Sequence, residues 1–308
     1  MTAASDLTPL AKLAAPLAPH HGYNPTPLPG LRILRSEAML DDVPVLYRPG
    51  AVFVLQGSKQ GVLDGQILRY DTDHYLAVSV PVPFRMTSQA SPEHPLLALY
   101  LDFDLQVAAQ IVGTLDRQVG TRPAERARSL VSSPIEPEIT QLLDRLLRTL
   151  ARPAELTILG PGLLFELHYR VLVGRQGGAM MAALRRNGPT MRLVDSLNLI
   201  RRRYAEPLTI ADLAREAGMS APSYHAGFKA LTGSTPIQYL KAIRLHEARW
   251  MIATRSAPIA SIATRVGYAS AAHFSRDFKR HFNRNPSEEA EWMRDHLGEL
   301  VAERKPSG

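Results

Sequence analysis

The 308-residue chain reads as an α+β protein. Its first part is antiparallel β structure of barrel or sandwich type with packed helices, and its second part is all-α, with two helix-turn-helix units on a linking helix. Three observations predict this. Residues 43–103 hold short β-branched runs punctuated by Pro and Gly. From Asp104 onward the apolar residues recur at helical spacing. Beyond residue 208 a helix, glycine turn and second helix occur twice, offset by 49–50 residues.

Residues 1–30 carry their first lysine only at Lys12, and prolines interrupt the apolar run. A signal peptide is not expected from this pattern; the stretch is expected to be a flexible tail leading into a loop. "VPVLYRPGAVFVLQG", "HYLAVSVPVPFRM" and "HPLLALYLDFD" read as strands. In "GVLDGQILRY", Asp64-Gly65 between apolar flanks is a hairpin signal. If "AVFVLQG" is a strand, Val52, Val54 and Gln56 share one face, and Phe53 and Leu55 the other.

"DLQVAAQIVGTLDRQVG" reads as a helix with Asp104 at its N-cap. "EPEITQLLDRLLRTLA" aligns Ile139, Leu142, Leu143, Leu146, Leu147 and Leu150 on one face. "PAELTILGPGLLFELHYRVLVG" is a further apolar helical stretch, bent or interrupted at Gly160-Pro161-Gly162. These helices can pack on the strands or pair across a dimer, and amphipathic helices usually face their own core. No stretch approaches the roughly 18 apolar residues of a membrane span. "GRQGGAMMAALRRNGPT" reads as a connection broken by Gly-Gly and Gly-Pro, and "MRLVDSLNLIRRRYAEPLT" as a helix ending near Glu206-Pro207.

There is no cysteine, which excludes disulfides, thiolate metal sites and thiol nucleophiles. The net charge of +7 is unevenly placed. Residues 191–290 carry 15 Lys/Arg against 8 Asp/Glu, whereas residues 1–190 carry 18 against 17. The basic excess sits where a polyanion would be met.

In the repeat, Ile210, Leu213, Ala214 and Gly218 recur as Ile259, Ile262, Ala263 and Gly267. Tyr224, Phe228, Lys229 and Pro236 recur as Phe274, Phe278, Lys279 and Pro286. Gly218 and Gly267 suit the left-handed residue that ends a helix, and Ser220 and Ser270 suit the cap of the next. Each copy is a helix-turn-helix unit whose second helix fits the major groove, about 12 Å wide. "PIQYLKAIRLHEARWMIATR" links the copies as a long helix.

On a wheel of about 100° per residue, Phe278 and Phe282 fall about 40° and 80° from Phe274, an anchoring stripe. Ala272, Arg276, Lys279, Arg280 and Asn283 face away, with His273 at the margin. Arg276 is the first candidate for base readout, since a guanidinium bonds guanine bidentately; His273, Ala272 and Arg280 are secondary. Lys279, Ser275 and Asn283 are candidates for phosphate contact. In the first copy Tyr224, Phe228 and Leu231 anchor, while Ser223 and Ala226 are base-contact candidates and Lys229 a phosphate candidate. Gly227 and Ala230 leave that helix poor in readout chemistry, so an asymmetric reader is expected. Small side chains there would also let the backbone approach DNA closely.

The stretch 191–293 resembles the AraC/XylS family of transcription regulators. The resemblance is carried by L-A-x-x-A-G-M-S, F-K-A-L-T-G-S-T-P-I-Q-Y, R-L-H-E-A-R, I-A-x-x-V-G-Y and H-F-S-R-D-F-K-R-H-F-N-R-N-P. The first half is similar to one subgroup's regulatory domain through V-L-Q-G-S-K (54–59), R-Y-D (69–71), H-Y-L-A-V-S-V (74–80) and E-L-H-Y-R-V-L-V-G (166–174). The resemblance implies a cupin-like regulatory or dimerisation domain over 31–178, a DNA-binding domain over 191–293 and a C-terminal tail over 294–308. It implies double-stranded DNA as partner, with a small-molecule effector, RNA polymerase and a second copy of the chain as further candidates. It implies a cytoplasmic protein that is not an enzyme and carries no cofactor. Ala226 and Gly227 depart from the family pattern, which near these positions often carries larger polar or basic side chains.

Gln56, Lys59 and Tyr70 are the candidate effector residues, although Lys59, like Arg69, reads more simply as a turn or surface residue. His74, His94 and His168 are far apart, and no closely spaced His cluster with Glu occurs over 43–103, so no metal site is expected. His225 and His273 belong to the helix-turn-helix units. Two other functions stay open: a cupin-type enzyme fused to a DNA-binding segment, and an architectural DNA binder of weak specificity. An alkyl-acceptor repair protein would need a cysteine, which the chain lacks.

Overall fold

The computed structural model describes residues 7–119, 127–185 and 189–300. The expected tail departs from the structure from residue 7 onward. Helix α1 (Pro9–Ala14) is capped by Thr8, which accepts from the Ala11 N–H and donates to the Leu55 carbonyl at 2.6 Å. α1 buries Ala11 and Ala14. Pro9 sits in the first turn, where no N–H is needed, so proline here starts a helix.

The strands are β1 (Gly22–Pro25), β2 (Leu31–Ser36), β3 (Leu40–Leu46), β4 (Gly50–Gln56), β5 (Ser58–Leu63), β6 (Gln66–Asp71), β7 (His74–Val78), β8 (Pro83–Gln89), β9 (Leu96–Asp102) and β10 (Leu130–Pro134). A single closed barrel does not form. The strands make two antiparallel sheets, β1-β2-β9-β4-β7-β10 and β3-β8-β5-β6. The chain crosses between them at the end of β4, where a bulge between Val54 and Gln56 is followed by Gly57 at φ +84°. A bulge of this kind bends a strand and lets it leave its sheet. Asp64 and Gly65 both take positive φ in the β5–β6 hairpin, as a tight two-residue turn requires.

Helices α2 (Leu105–Val119), α3 (Pro137–Leu150), α4 (Pro153–Val173) and α5 (Gly177–Leu184) follow. Asp104 accepts from the N–H groups of Gln106 and Val107 and starts α2. α3 buries Ile139, Leu142, Leu143, Leu146, Leu147 and Leu150. These helices and α1 share one core with Ile33, Phe53, Leu55, Leu97 and Leu99 of the six-stranded sheet. α4 runs unbroken through Pro161, so of the expected bend or interruption the interruption does not occur. Unbroken, it is long and apolar enough by length and composition to cross a membrane, which the sequence reading missed. One of its faces instead joins this core through Leu156, Leu163, Leu167 and Val171. The expected connection over 174–190 contains α5, whose Ala179, Met180 and Met181 are buried.

The all-α part comprises α6 (Pro189–Arg202), α7 (Ile210–Glu216), α8 (Ala221–Thr232), α9 (Pro236–Ala253), α10 (Ile259–Arg265), α11 (Ala271–Phe282) and α12 (Pro286–Leu300). A second core runs between the two sheets, through Val45, Val52, Val54, Phe84 and Tyr100, and continues into Leu213, Tyr224, Phe228 and Tyr239. A third holds Leu245, Ile262, Phe274, Phe278 and Phe282. The expected tail from 294 is α12 as far as Leu300, because Met293 and Leu300 join the second core.

The two parts are bolted together by polar contacts. Arg249 on α9 donates to Glu289 of α12 at 2.6 Å and to the Pro44 carbonyl of β3 at 3.0 Å, and both charged side chains are almost fully buried. Arg284 bonds the other Glu289 oxygen at 2.7 Å. Tyr239 donates to the Pro81 carbonyl at 2.8 Å, and Arg85 to the His281 carbonyl at 3.1 Å.

Removing one partner of such a pair strands a charge away from water. Glu289→Ala is expected to cost about 3–5 kcal/mol in chemical denaturation, whereas Arg249→Met with Glu289→Met costs much less. Equal losses for the single and double variants would show that the pair is not coupled.

Candidate nucleic-acid interface and internal cavity

Both helix-turn-helix units are built by the same local rules. Thr209 caps α7 and Ser220 caps α8, while Ser270 caps α11. Gly218 and Gly267 lie at φ +59° and +89° in the turns. A Cβ on Gly267 would meet the Ala205 carbonyl oxygen at 2.6 Å, so only glycine fits without strain. Leu213, Ala214, Tyr224, Phe228, Ile262, Ala263, Phe274 and Phe278 are buried. Tyr224 also shares a 2.6 Å hydrogen bond with Ser196 of α6, and burial pushes its phenol up to about 12. Arg244 of α9 donates to the carbonyls of Tyr204, Glu206 and Gly267, which ties the second turn to the end of α6.

Over their first ten residues α8 and α11 have the same sequence of buried, half-buried and exposed positions. Two helices of one shape therefore present equivalent faces with different chemistry. Ser223, Ala226, Lys229 and Ala230 are exposed on α8; Ala272, His273, Arg276, Lys279 and Arg280 are exposed on α11. Ser275 is half-buried. Arg276 has no ion pair among the described residues, leaving its guanidinium available. Arg280 is held at 2.6 Å by Asp277, one helical turn back. Asp277 also faces Tyr268 at 3.3 Å and Lys241 at 3.5 Å. Asn283 takes φ +59° and ends α11 as its left-handed cap, the place Gly233 holds after α8. Gly227 has a packing reason: a Cβ there would lie 3.0 Å from Leu193 of α6. The closeness it permits is to α6, not to a groove.

Of the three effector candidates, the structure brings two together. Lys59 is 3 % exposed and points between the sheets, which corrects its reading as a surface residue. Its Nζ donates to Tyr100 at 3.0 Å and Tyr47 at 3.4 Å, and Tyr47 lies 3.5 Å from the Tyr70 hydroxyl. Register places Lys59 beside Tyr70 on β6 and Ser88 on β8. Burial pushes the Tyr47 and Tyr70 phenols well up. Burial acts the same way on Tyr100, but the Lys59 ammonium and the hydrogen bonds with Lys59, Tyr47 and Tyr23 together bring that phenol below its ordinary value. Gln56 is elsewhere, donating to the Pro95 carbonyl at 2.8 Å. Arg69 is exposed and paired with Asp71.

A cavity of about 20 Å³ adjoins this cluster, lined among others by Tyr47, Tyr100, Arg32, Arg48, Asp102 and Glu299. Arg32 and Arg48 both bond Asp102, at 2.6 and 3.1 Å. Sequence reading missed these residues, although strand alternation in β2 and β9 was a usable signal. Among the described residues no group of three or more His, Asp or Glu is placed to hold a metal ion. His168 is a core histidine: its Nε2 accepts from the Asp104 N–H at 3.0 Å, and burial holds its pKa below the usual value.

The fold and these surfaces define a two-part protein: an antiparallel β unit with helices, joined to a tandem helix-turn-helix unit. A family model described as the AraC-type transcriptional regulator N-terminus matches residues 27–179, and a helix-turn-helix domain model matches residues 213–291. The chain belongs to the AraC/XylS family of transcription regulators. It is similar to the RCS-specific HTH-type transcriptional activator RclR of Escherichia coli K12, 37 % identical over 86 residues, covering 28 % of this chain and 30 % of that one. It is similar to the HTH-type transcriptional regulator AlkR of Acinetobacter baylyi, 36 % identical over 81 residues and 26 % of each chain. These matches span about a third or less of the curated relatives' length. Among solved structures, ToxT of Vibrio cholerae with an unsaturated fatty acid bound aligns over 88 % of this chain and 97 % of that one. The TM-score is 0.56 at 14 % identity, a likeness of fold.

Arg276→Ala is expected to cost about 1–3 kcal/mol on the cognate DNA site and to relax preference at one base position. Ala226→Ser should change far less. Equal losses for both across a randomised-site panel would refute the asymmetry.

Proposed function

We propose that the chain is a sequence-specific DNA-binding transcription regulator, with a DNA-reading unit over 191–293 and a cupin-like sensory unit over 31–178. The observation that carries this is the pair of equally shaped helices, α8 and α11, on one linking helix within the basic stretch. In this reading α11 supplies base readout through Arg276, with His273, Ala272 and Arg280 beside it. Lys279, Lys229 and Ser275 hold phosphates, and Ser223 and Ala226 give α8 a lesser part. Asn283 keeps a structural role as helix cap. The protein acts in the cytoplasm by binding rather than catalysis, on promoter or operator DNA and with RNA polymerase as a further partner. The acid bound by ToxT supports a small-molecule effector in or near the sheets.

The test is selection from a randomised DNA pool at stated salt. A defined motif is expected, with affinity falling steeply as salt rises. Binding with no sequence preference above the salt-dependent background would leave an architectural role instead.

A second copy of the chain is the other partner in this reading. α4 exposes Ile158, Gly162, Phe165 and Tyr169, spaced 4, 3 and 4 residues apart like a coiled-coil seam. Phe165→Lys is expected to convert a micromolar dimer to monomer in sedimentation; a monomeric parent would refute the pairing.

A further inference from the structure

Buried charges in proteins are normally paired, because an ammonium taken out of water loses far more than neutral dipoles return. Lys59 breaks that rule. Among the described residues no carboxylate lies within 4.0 Å of its Nζ, which donates to the hydroxyls of Tyr47 and Tyr100. The neighbouring Ser88 hydroxyl is buried without a hydrogen-bond partner. Across the adjoining cavity, Arg32 and Arg48 share the single carboxylate of Asp102. The other acid lining it, Glu299, arrives from the last turn of α12. Glu299 is 4 % exposed; one oxygen meets Ser36 at 2.5 Å and His21 at 3.2 Å, while the other is buried with no partner. Two cations and two carboxylates thus line the cavity with Lys59 behind Tyr47 and Tyr100, and one of those carboxylates sits on α12, the helix that follows the second helix-turn-helix unit.

We infer that this space is a receptor for a small organic carboxylate, which binds at Lys59, Tyr47 and Tyr100 in competition with Glu299 and so loosens α12 from the sheets. The apolar body of the ligand lies against Val45, Val52, Val78 and Met86, which line the same cavity. The present volume of about 20 Å³ holds little more than a water, so entry requires Glu299 and Leu300 to move. Ligand binding and release of α12 are then one event. The inference rests on reading the sheets as the sensory part, and its test involves no DNA, so it can fail while DNA recognition stands.

The experiment is calorimetric titration of the full chain with hexanoate and benzoate, against hexanamide and benzamide, with sodium sulfate and chloride at matched ionic strength. At least one acid is expected to bind more than about tenfold tighter than its amide, the scale of a buried charge contact. Lys59→Met should lose that preference, while Arg69→Ala on the same hairpin should keep it. Glu299→Gln should bind the acid more tightly than the parent, a gain that misfolding would not produce. Acid and amide binding alike, no binding to the parent, or a response reproduced by sulfate would each overturn the inference.

Discussion

The ion pair between Arg249 and Glu289 lies almost wholly out of water, and the relation between the two halves of the molecule depends on it. A pair so buried contributes little net stability over a well-packed apolar pair, yet its geometry tolerates few alternatives. Arg249 also bonds the Pro44 carbonyl and lies over the rings of Phe282 and Trp292, with centroid distances of 4.9 and 5.2 Å. One guanidinium therefore fixes β3, the end of α11 and the middle of α12 together. The outward face of α11 and the cavity mouth that α12 closes become parts of one rigid arrangement.

The two helix-turn-helix units are embedded differently. The first shares its apolar core with the space between the sheets, and α8 packs onto α6 closely enough that a Cβ at Gly227 would press on Leu193 at 3.0 Å. The second has a core of its own around Phe274, Phe278 and Phe282. At the position matching Gly227 it carries Asp277, which is free to engage Tyr268, Lys241 and Arg280. The poverty of α8 in readout chemistry is thus partly a packing consequence. A helix held on its flank by another helix gives up side chains there, whereas one standing on its own core keeps them.

What the sequence made legible was local. Aromatic anchors spaced four apart, serine caps, glycine turns and the Asp64-Gly65 hairpin each follow from a few neighbouring residues. α1, β1, β2, β10 and the end of α12 were missed because partners far along the chain hold them. Gln56 shows how a single residue misleads: strict alternation puts it with Val52 and Val54, but the bulge after Val54 reverses the count. Lys59 misled in the opposite sense. A lysine in "SKQGVL" reads as exposed, and only Tyr47 and Tyr100, brought from distant strands, reveal that its face is the inner one.

The direction of any coupling between cavity and DNA face follows from where the charges sit. A ligand shifts an arrangement only by its difference in affinity for the two states. An anion meeting Lys59 gains that difference because, with α12 docked, Glu299 already supplies negative charge and fills the mouth; with α12 released, the three cations keep only Asp102. A neutral ligand of the same shape has no such preference. Since α12 packs against α11 and holds Glu289, its release acts first on the second helix-turn-helix unit, the one that carries Arg276. The first unit is kept in place by its shared core with the sheets. A charge exchange inside the β unit is thereby directed to the helix with the most to read.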